Sequence, residues 1–456
     1  MLPFSQEEHA AKGWSRLRHI DRLLTTALIV LICSAAGAAD APPPKVVVYS
    51  GGTLIDVASG VARPDTAVVI QKDRIVAVSP GFEARDGQEV VDVRGKFIIP
   101  GLVNTHVHLA TSADPKAAQA YLRREFFSGV TMVRDMAGDV RLLSELKREA
   151  EFDEILSPDI FYVALMAGPQ FFVDPRTHDA ARGLTPGEVS WMRAITPETD
   201  LRIAVAEAKG SGATAIKIYA DVPAALVRKI VAEAHRQHLL VWAHAAVFPA
   251  IPSEVVDAGV DVISHACILG YEISKPPLQS FEDKRPVDAE QLMRPNSQIT
   301  ALLEAIKRRG TILDATLFAY EVSEAHSCSA AVSDHLAAEA YQAGVAISAG
   351  TDDDADWSDP DSALDQELTL LVRKAGMTPA DALRSATLVG ARAAGQEKDA
   401  GTVEVGKLAN FVVLERNPLD DIGNVRSVSI IVKHGMRHAR IEYKPVSAEE
   451  MKTTGK

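Results

Sequence analysis

Two histidines separated by a single residue are the first place in this sequence where metal chemistry could occur. His106 and His108 end an apolar stretch that begins at Phe97. If this stretch is a β-strand, residues i and i+2 project on the same side, so both imidazoles point to one place. Converging imidazoles are what a transition-metal ion requires of its ligands. The pair alone is a weak signal, and its weight depends on partners elsewhere in the chain.

Further side chains able to bind a metal follow other apolar stretches, each near the end of a predicted strand. His244 and His265 end two such strands, and Asp352 follows a third. Lys217 lies inside a fourth, residues 215–219. A buried lysine is costly unless it is paired or neutral. It could extend to the rim or pair with an acid, or, as a neutral amine, add carbon dioxide and become a carbamate that bridges two metals.

These positions can form one site only if the fold brings them together. The order of the predicted elements indicates such a fold. Between about residues 100 and 390, strands alternate with helical patterns. The predicted strands are 97–106, 131–135, 160–166, 215–219, 240–244, 262–265, 311–315 and 345–348. This pattern predicts an α/β chain with a (β/α)8 TIM-like barrel, whose chemistry lies at the carboxyl ends of the strands. Both chain ends are rich in β pattern, which predicts a small β-sandwich domain built from the two ends.

The chain is accordingly divided into four predicted segments. They are a signal peptide at 1–38, the first part of the β domain at 39–98, the barrel at 99–395 and the second part of the β domain at 396–456. Three arginines between residues 16 and 22 precede an apolar run over 23–32, and Ala-Gly-Ala at 36–38 fits a cleavage site. We therefore expect a periplasmic or secreted protein. An uncleaved anchor is the alternative, and only then do we expect membrane contact.

Composition limits the partners of this chain. It has 456 residues, 47% of them hydrophobic, and a net charge of −13, so it can bury a large core. No run rich in Lys and Arg follows the N-terminus, which argues against a nucleic-acid partner. A monomer and a homo-oligomer are both compatible with the sequence. Cys267 and Cys328 could pair in an oxidising compartment, but two buried free thiols are the expected state.

Longer motifs surround the candidate residues. They are P-G-L-V-N-T-H-V-H at 100–108, G-V-T-M-V-R-D at 129–135, A-I-K-I at 215–218, G-T-D at 350–352 and G-M-T-P-A-D-A-L-R-S-A-T at 376–387. In this order they resemble the amidohydrolase superfamily, in the branch of imidazolonepropionase-like and prolidase-like metal-dependent hydrolases. The resemblance covers nearly the whole chain after the predicted signal peptide.

The resemblance implies a site for two divalent metal ions. Its ligands would be His106, His108, Lys217, His244, His265 and Asp352. The first two, with Asp352, would bind one ion, His244 and His265 would bind the second, and carboxylated Lys217 would bridge the pair. Zinc is the first expectation for such a site, and manganese, cobalt or iron would also fit.

The resemblance also implies roles in catalysis. Asp352 would take a proton from the attacking water and deliver it to the leaving group. Tyr219, two residues after Lys217, shares its predicted face and could contact a substrate or simply pack. Asp353 and Asp354 are expected only to solvate a loop. The segment 270–296 is expected to cover the site.

The predicted function is that of a metal-dependent amidohydrolase acting on amide-type C–N bonds of small molecules. Dipeptides or N-acyl amino acids with a free carboxylate are the expected substrates. Hydrolysis of esters, lactones or carbamates at the same site is one alternative, and a catalytically silent binding protein is another. Relatives often carry Gly-Gly-His after the third strand, whereas this chain has Met-Ala-Gly-Pro-Gln-Phe-Phe at 166–172. The substrates of relatives are therefore not carried over.

Overall fold

The computed structural model of the chain describes residues 45–81, 85–112, 114–283, 285–323, 327–354, 358 and 360–451. The predicted signal peptide lies outside these residues, so its prediction stays untested. Among the helices that the structure describes, none is both long enough and apolar enough to span a bilayer.

The first described segment is a run of β-strands. They are β1 (Val46–Asp56), β2 (Val61–Gln71), β3 (Arg74–Pro80), β4 (Glu89–Asp92) and β5 (Phe97–Pro100). Strand β2 pairs antiparallel with both β1 and β3, and the turn between β2 and β3 has Lys72 at a φ of 56°. Strand β1 also pairs in parallel with β4 and β5. The sheet therefore begins as an antiparallel meander and becomes mixed.

The next strands build the barrel. They are β6 (Leu102–His108), β7 (Val130–Asp135), β8 (Asp159–Ala167), β9 (Glu188–Val189), β10 (Met192–Ala194), β11 (Ala215–Ile218), β12 (Leu240–His244), β13 (Val262–Ser264), β14 (Ile312–Asp314), β15 (Ile347–Ser348) and β16 (Asp353–Asp354). Eight of them, β6, β7, β8 and β11 to β15, follow one another in parallel. The Asp352 N–H donates to the His106 carbonyl at 2.9 Å, which nearly closes the ring. The predicted TIM-like barrel is confirmed.

Helices connect the barrel strands and pack around them. They are α1 (Pro115–Phe127), α2 (Val140–Glu151), α3 (Pro175–Ala181), α4 (Leu201–Gly210), α5 (Ala224–Arg236), α6 (Pro252–Asp257), α7 (Ala289–Leu292), α8 (Ser297–Arg309), α9 (Leu317–Val322), α10 (Ala330–Ala343), α11 (Leu364–Arg373), α12 (Pro379–Arg384), α13 (Gly390–Ala393) and α14 (Ala448–Met451). Asp114, Asp139 and Asp200 cap α1, α2 and α4 by accepting hydrogen bonds from N–H groups of the first turn. Such caps fix where each helix begins after its strand.

The last strands return to the first sheet. They are β17 (Phe411–Leu414), β18 (Val428–Lys433) and β19 (Met436–Ala439). Strand β17 pairs antiparallel with β5 and with β18, and β18 pairs antiparallel with β19. Both chain ends thus share one eight-stranded mixed sheet, which confirms the predicted small β domain. The predicted boundaries at residues 98 and 395 stay predictions.

The prediction of one strand over 97–106 is wrong. The chain breaks at Gly101, which leaves β5 in the mixed sheet and β6 in the barrel. The Gly101 N–H donates to the Asn410 carbonyl at 3.0 Å, and a Cβ at this position would overlap the Thr131 side chain. Glycine therefore lets the chain pass from one sheet to the other. The crossing makes the strand that carries both histidines the first strand of the barrel.

Candidate functional site

A cleft at the carboxyl ends of the barrel strands gathers the side chains that the sequence predicted. Its cavity volume is about 190 Å³. Its lining includes every predicted site residue, namely His106, His108, Lys217, Tyr219, His244, His265 and Asp352. The structure therefore brings all of them together, while their roles as ligands stay a prediction.

One half of this polar cluster, here called the aspartate half, consists of His106, His108 and Asp352. Nε2 of His106 lies 3.1 Å from Oδ1 of Asp352, and Nε2 of His108 lies 2.9 Å from the same oxygen. Nδ1 of His265 approaches the other carboxylate oxygen at 3.7 Å. One ligand atom each from His106, His265 and Asp352 lies within 4.8 Å of the other two. Asp352 is thus the common centre. His106, His265 and Asp352 could together hold a metal ion, so His265 lies where the two halves meet.

The other half, here called the lysine half, consists of Lys217, His244 and His265. Nζ of Lys217 donates a hydrogen bond to Oγ of Ser264 at 3.0 Å, and only 1% of the residue is exposed. The ring centroids of His244 and His265 lie 4.8 Å apart. Lys217 lies in β11, His244 ends β12 and His265 directly follows β13, so the parallel pairing of these strands brings the three residues close together.

Burial controls the charge of the lysine half. It lowers the pKa of His244 and of His265 well below the ordinary value. It also lowers the pKa of Lys217 to about 8, although Asp314 and Asp352 oppose the change. Near neutral pH both imidazoles therefore keep a free lone pair, and a fraction of the lysine is a neutral amine. These are the protonation states that metal binding and carbamate formation require.

Facing charges control the aspartate half. Burial alone would raise the pKa of Asp352, but His106 and His108 outweigh it and hold this pKa well below its usual range. Burial alone would lower the pKa of His106, but Asp352 and Asp314 outweigh it and raise this pKa to about 9. An ionised carboxylate with imidazoles around it is a donor set that suits a divalent cation such as zinc. The residues present therefore fit the implied metal.

Asp314, at the end of β14, is a polar residue of the site that sequence reasoning missed. Its Oδ2 lies 2.7 Å from Nδ1 of His106, and its Oδ1 accepts a hydrogen bond from the Thr105 hydroxyl at 2.8 Å. This contact directs Nε2 of His106 towards Asp352. Gly350 makes room for it, because a Cβ there would collide with the side chains of Asp314 and His106. Asp314 lies near the end of the predicted strand at 311–315, so a search for polar residues at strand ends could have identified it.

Three residues at the ends of successive strands adopt backbone conformations that side chains disfavour. The φ angles of His265, Thr316 and Asp352 are 75°, 51° and 52°. A left-handed backbone costs a residue other than glycine roughly 1–3 kcal/mol, and such strain is concentrated at functional sites. The Thr316 hydroxyl lies 2.8 Å from Nδ1 of His265. The strained positions thus contribute two cluster residues and a side chain that contacts one of them.

Aromatic side chains form one wall of the cleft. The ring centroid of Tyr219 lies 4.0 Å from that of His244, 4.4 Å from that of Phe171 and 5.5 Å from that of Phe281. Phe281 and Tyr271 also line the cleft and belong to the segment 270–296, which was expected to cover the site. Phe171 follows the third barrel strand, where this chain departs from its relatives. Tyr219 was predicted, whereas Phe171, Tyr271 and Phe281 were not, because no local pattern shows which loop residues turn inwards.

The expectation that Asp353 solvates a loop is wrong. Its side chain accepts a hydrogen bond from the Tyr121 hydroxyl at 2.8 Å, and Arg124 lies 3.2 Å away. The Thr351 hydroxyl also donates to it. Burial raises the pKa of Asp353, although Arg124 opposes this. Asp353 is therefore a partly buried residue that ties the end of the eighth strand to α1.

The expectation of two free thiols is also wrong, because Cys267 and Cys328 form a disulfide. Their Cα atoms lie 6.1 Å apart. Cys267 follows His265 by two residues, and Cys328 lines the cleft. The bridge thus ties one wall of the cleft to the turn that carries His265.

Comparison with known sequences gives one long match and several short ones. Residues 97–438 match the family model described as Amidohydrolase family. Adenine deaminase 2 of Agrobacterium fabrum is 37% identical over 71 residues, which are 16% of this chain and 12% of that protein. Imidazolonepropionase of Micrococcus luteus is 32% identical over 96 residues, which are 20% of this chain and 24% of that protein. The chain therefore spans less than a quarter of the length of either relative.

Comparison with solved structures covers more of the chain. A prolidase complexed with N-methylphosphonate-L-proline has a TM-score of 0.67 at 24% identity, over 87% of this chain and all of that one. A putative prolidase from Bifidobacterium longum has a TM-score of 0.64 at 25% identity, over 90% and 98% of the two chains. The ochratoxinase of A. niger has a TM-score of 0.67 at 22% identity, over 87% and 96%. At these identities the likeness shows the fold.

Proposed function

Because the chain belongs to the amidohydrolase family, we propose that it is a metal-dependent hydrolase that cleaves amide-type C–N bonds of small molecules. The observation that supports this most is the convergence of all six predicted ligands on one cleft. Dipeptides and N-acyl amino acids are the proposed substrates. The similarity in fold to prolidases supports this choice.

The two halves of the cluster have separate tasks in this proposal. The aspartate half would hold one divalent cation and the lysine half a second. Lys217, after its neutral amine adds carbon dioxide and loses a proton, would offer carbamate oxygens to both. Bound metal ions would lower the pKa of a water and polarise the scissile carbonyl. Zinc is the proposed metal, since imidazole and carboxylate ligands suit it.

Asp352 would carry the proton during hydrolysis. It would accept one from the attacking water as the new C–O bond forms, and deliver it to the leaving nitrogen as the C–N bond breaks. The low pKa of Asp352 keeps the group ionised and ready to accept that proton. Burial lowers the pKa of His244 and of His265, so both imidazoles stay neutral beside this carboxylate.

We also propose that the protein works in the periplasm or after secretion. The Cys267–Cys328 disulfide supports this, since disulfides persist in oxidising compartments. Fractionation of producing cells and N-terminal sequencing of the product test it. A mature N-terminus near residue 39 is expected, and a full-length cytosolic protein with reduced thiols would contradict the proposal.

The hydrolytic function is tested on protein purified with zinc and bicarbonate, with Asp352→Asn as the matched variant. A panel of dipeptides, N-acetyl amino acids, aryl esters and lactones is assayed before and after chelation. We expect amide hydrolysis that chelation abolishes and that Asp352→Asn lowers by about 10²–10⁴-fold. Hydrolysis of esters or lactones alone would replace the proposal with its oxygen-ester alternative. Metal binding with no turnover of any substrate would favour a silent binding protein.

A further inference from the structure

Arg176 is the accessible fixed cation of the cleft. Among the described residues that line the cleft, Arg176 and Lys217 are its only arginine or lysine side chains. Lys217 lies at the floor with 1% of its surface exposed, whereas 56% of the Arg176 side chain is exposed. An incoming anionic ligand therefore meets Arg176 first.

The Arg176 guanidinium is oriented before any ligand arrives. It belongs to the first turn of α3, whose N-cap is Asp174. The Asp174 carboxylate accepts hydrogen bonds from Nε and Nη2 of Arg176, the latter at 2.7 Å. This pairing raises the pKa of Arg176 further, so the group stays charged. A guanidinium has five N–H donors, and the pairing engages one edge of it. A preoriented cation loses less entropy when it binds a ligand.

Arg176 lies one aromatic ring away from the polar cluster. Its Cζ is 5.9 Å from the ring centroid of Tyr219, which is 4.0 Å from that of His244. In a dipeptide the carboxyl carbon follows the scissile carbonyl carbon by one residue, roughly 3.8 Å in an extended chain. A direct contact between the guanidinium and the carboxylate places Cζ of Arg176 a similar distance beyond the carboxyl carbon. A substrate of this size could thus place its carboxylate at Arg176 and its scissile bond at the cluster.

A second cavity, here called the side pocket, adjoins the cleft at this point. Its cavity volume is about 100 Å³, and it shares His108, Met136, Arg176 and Tyr219 with the cleft. The rest of its wall is mainly apolar and includes Leu165, Phe171, Ala180 and Met192. An apolar group that enters the side pocket leaves water, which favours binding in proportion to the area buried.

We infer that Arg176 selects substrates with a free carboxylate, and that the side pocket receives an apolar side chain on the carbon that bears this carboxylate. This inference rests on the proposed function and specifies its substrate class. The substrates are peptides or N-acyl derivatives of apolar amino acids. Water adds its hydroxyl to the acyl carbon and its proton to the nitrogen, and the C–N bond breaks. The apolar amino acid is the leaving group, and its carboxylate is still paired with Arg176 when the bond breaks.

The test compares alanyl-leucine with alanyl-leucinamide, which lacks only the carboxylate charge. Wild type, Arg176→Met, Arg176→Lys and Asp174→Asn are assayed at equal metal content. Arg176→Met should lower kcat/KM for alanyl-leucine roughly 10- to 100-fold more than for alanyl-leucinamide, which is the usual effect of losing a charge-assisted hydrogen bond. Arg176→Lys should keep part of the preference for the acid. Asp174→Asn should keep the preference as well, because the cation remains. An equal loss on both substrates in Arg176→Met would overturn the inference.

Two further arms separate this inference from the proposed function. If wild type cleaves no dipeptide or N-acetyl amino acid of the panel, the proposed function fails, and calorimetric binding of leucine and leucinamide then tests Arg176. Arg176→Met should weaken the binding of leucine more than that of leucinamide, and equal weakening would overturn the assignment. Alanyl-aspartate tests the side pocket. It should be a poorer substrate than alanyl-leucine, and equal or faster cleavage would overturn the apolar assignment.

Discussion

The two halves of the polar cluster bury charge in different ways. In the aspartate half, His106 and His108 face Asp352, and the opposite charges hold the carboxylate in its ionised form. In the lysine half, burial dominates and lowers the pKa of all three basic groups. The first half is electrostatically complete within the protein. The second holds two neutral imidazoles and a lysine of which only a fraction is neutral near pH 7, and it gains a negative charge only when this lysine forms a carbamate.

This difference in charge predicts which half binds a metal ion more strongly. An ionised carboxylate attracts a divalent cation more strongly than neutral imidazoles and a partly protonated lysine do. We therefore expect the aspartate half to bind its ion first and the lysine half to depend on carboxylation of Lys217. Substitutions that affect one half at a time test this expectation.

The largest contrast should appear between His106→Asn and His265→Asn. His106→Asn disrupts the aspartate half and should remove both metal ions, with a loss in kcat/KM of about 10³-fold or more, equivalent to roughly 4 kcal/mol. His265→Asn should leave one ion bound. Metal content by mass spectrometry and kcat/KM are measured on the same preparations. Equal metal content in the two variants would show that the halves do not differ as described.

Loss of the disulfide should have the second-largest effect. The bridge lies beside the lysine half, because Cys267 follows His265 by two residues. The bridge closes a loop of 61 residues, and removing such a link typically lowers the free energy of unfolding by about 2–4 kcal/mol. Cys328→Ser, and the double variant with Cys267→Ser to exclude effects of a free thiol, should both unfold at lower urea concentration than wild type. Coincident unfolding curves for wild type and the double variant would contradict this expectation.

Asp314→Asn should weaken the aspartate half without removing a ligand. Asp314 contacts Nδ1 of His106, and loss of such a carboxylate partner typically lowers metal affinity by about 10- to 100-fold. Competition with a chelator measures the affinity of the first ion. Ser264→Ala, which removes the partner of Lys217 Nζ in the lysine half, is the control. The expectation fails if Ser264→Ala weakens the first ion as much as Asp314→Asn does.

A carboxyl group without facing histidines provides the smallest and cleanest test of the same physics. Burial raises the pKa of Glu367 to about 8, although backbone N–H groups at Phe318 and Leu317 oppose this. Between pH 4.5 and 8 the folded state therefore keeps a proton that the unfolded state releases, so this group lowers stability as pH rises through that window. Glu367→Gln should gain about 1–3 kcal/mol relative to wild type between pH 5 and 8. Thermal unfolding of both proteins at pH 5 and at pH 8 measures this gain. If the difference in stability between Glu367→Gln and wild type is the same at both pH values, the expectation is wrong.

Local sequence was sufficient for the parts of the site that depend on strands. The bounds of β12 agree with the predicted strand at 240–244, because an apolar run defines it within the segment itself. Parallel pairing then brings the ends of β11, β12 and β13 together, so Lys217, His244 and His265 could be placed without coordinates.

The features that were missed depend on contacts between distant segments. The break at Gly101 follows from a crossing beside Thr131 and Asn410, which no local pattern reveals. Asp353 is bonded within the fold because Tyr121 and Arg124 reach it from α1. The pairing of the two cysteines needs the fold that brings their Cα atoms within 6.1 Å. Arg176 faces the cleft only because α3 begins after the third barrel strand.

The most direct test of the two-part cluster is the number of metal ions per chain. Wild type and Lys217→Met are prepared with zinc and bicarbonate, and their metal content is measured by mass spectrometry. Two ions in wild type and one or none in Lys217→Met are the expected result, because the variant has no amine to carboxylate. A single ion that the substitution leaves unchanged would contradict the bridging role of Lys217. No ion in either protein would contradict the metal centre itself.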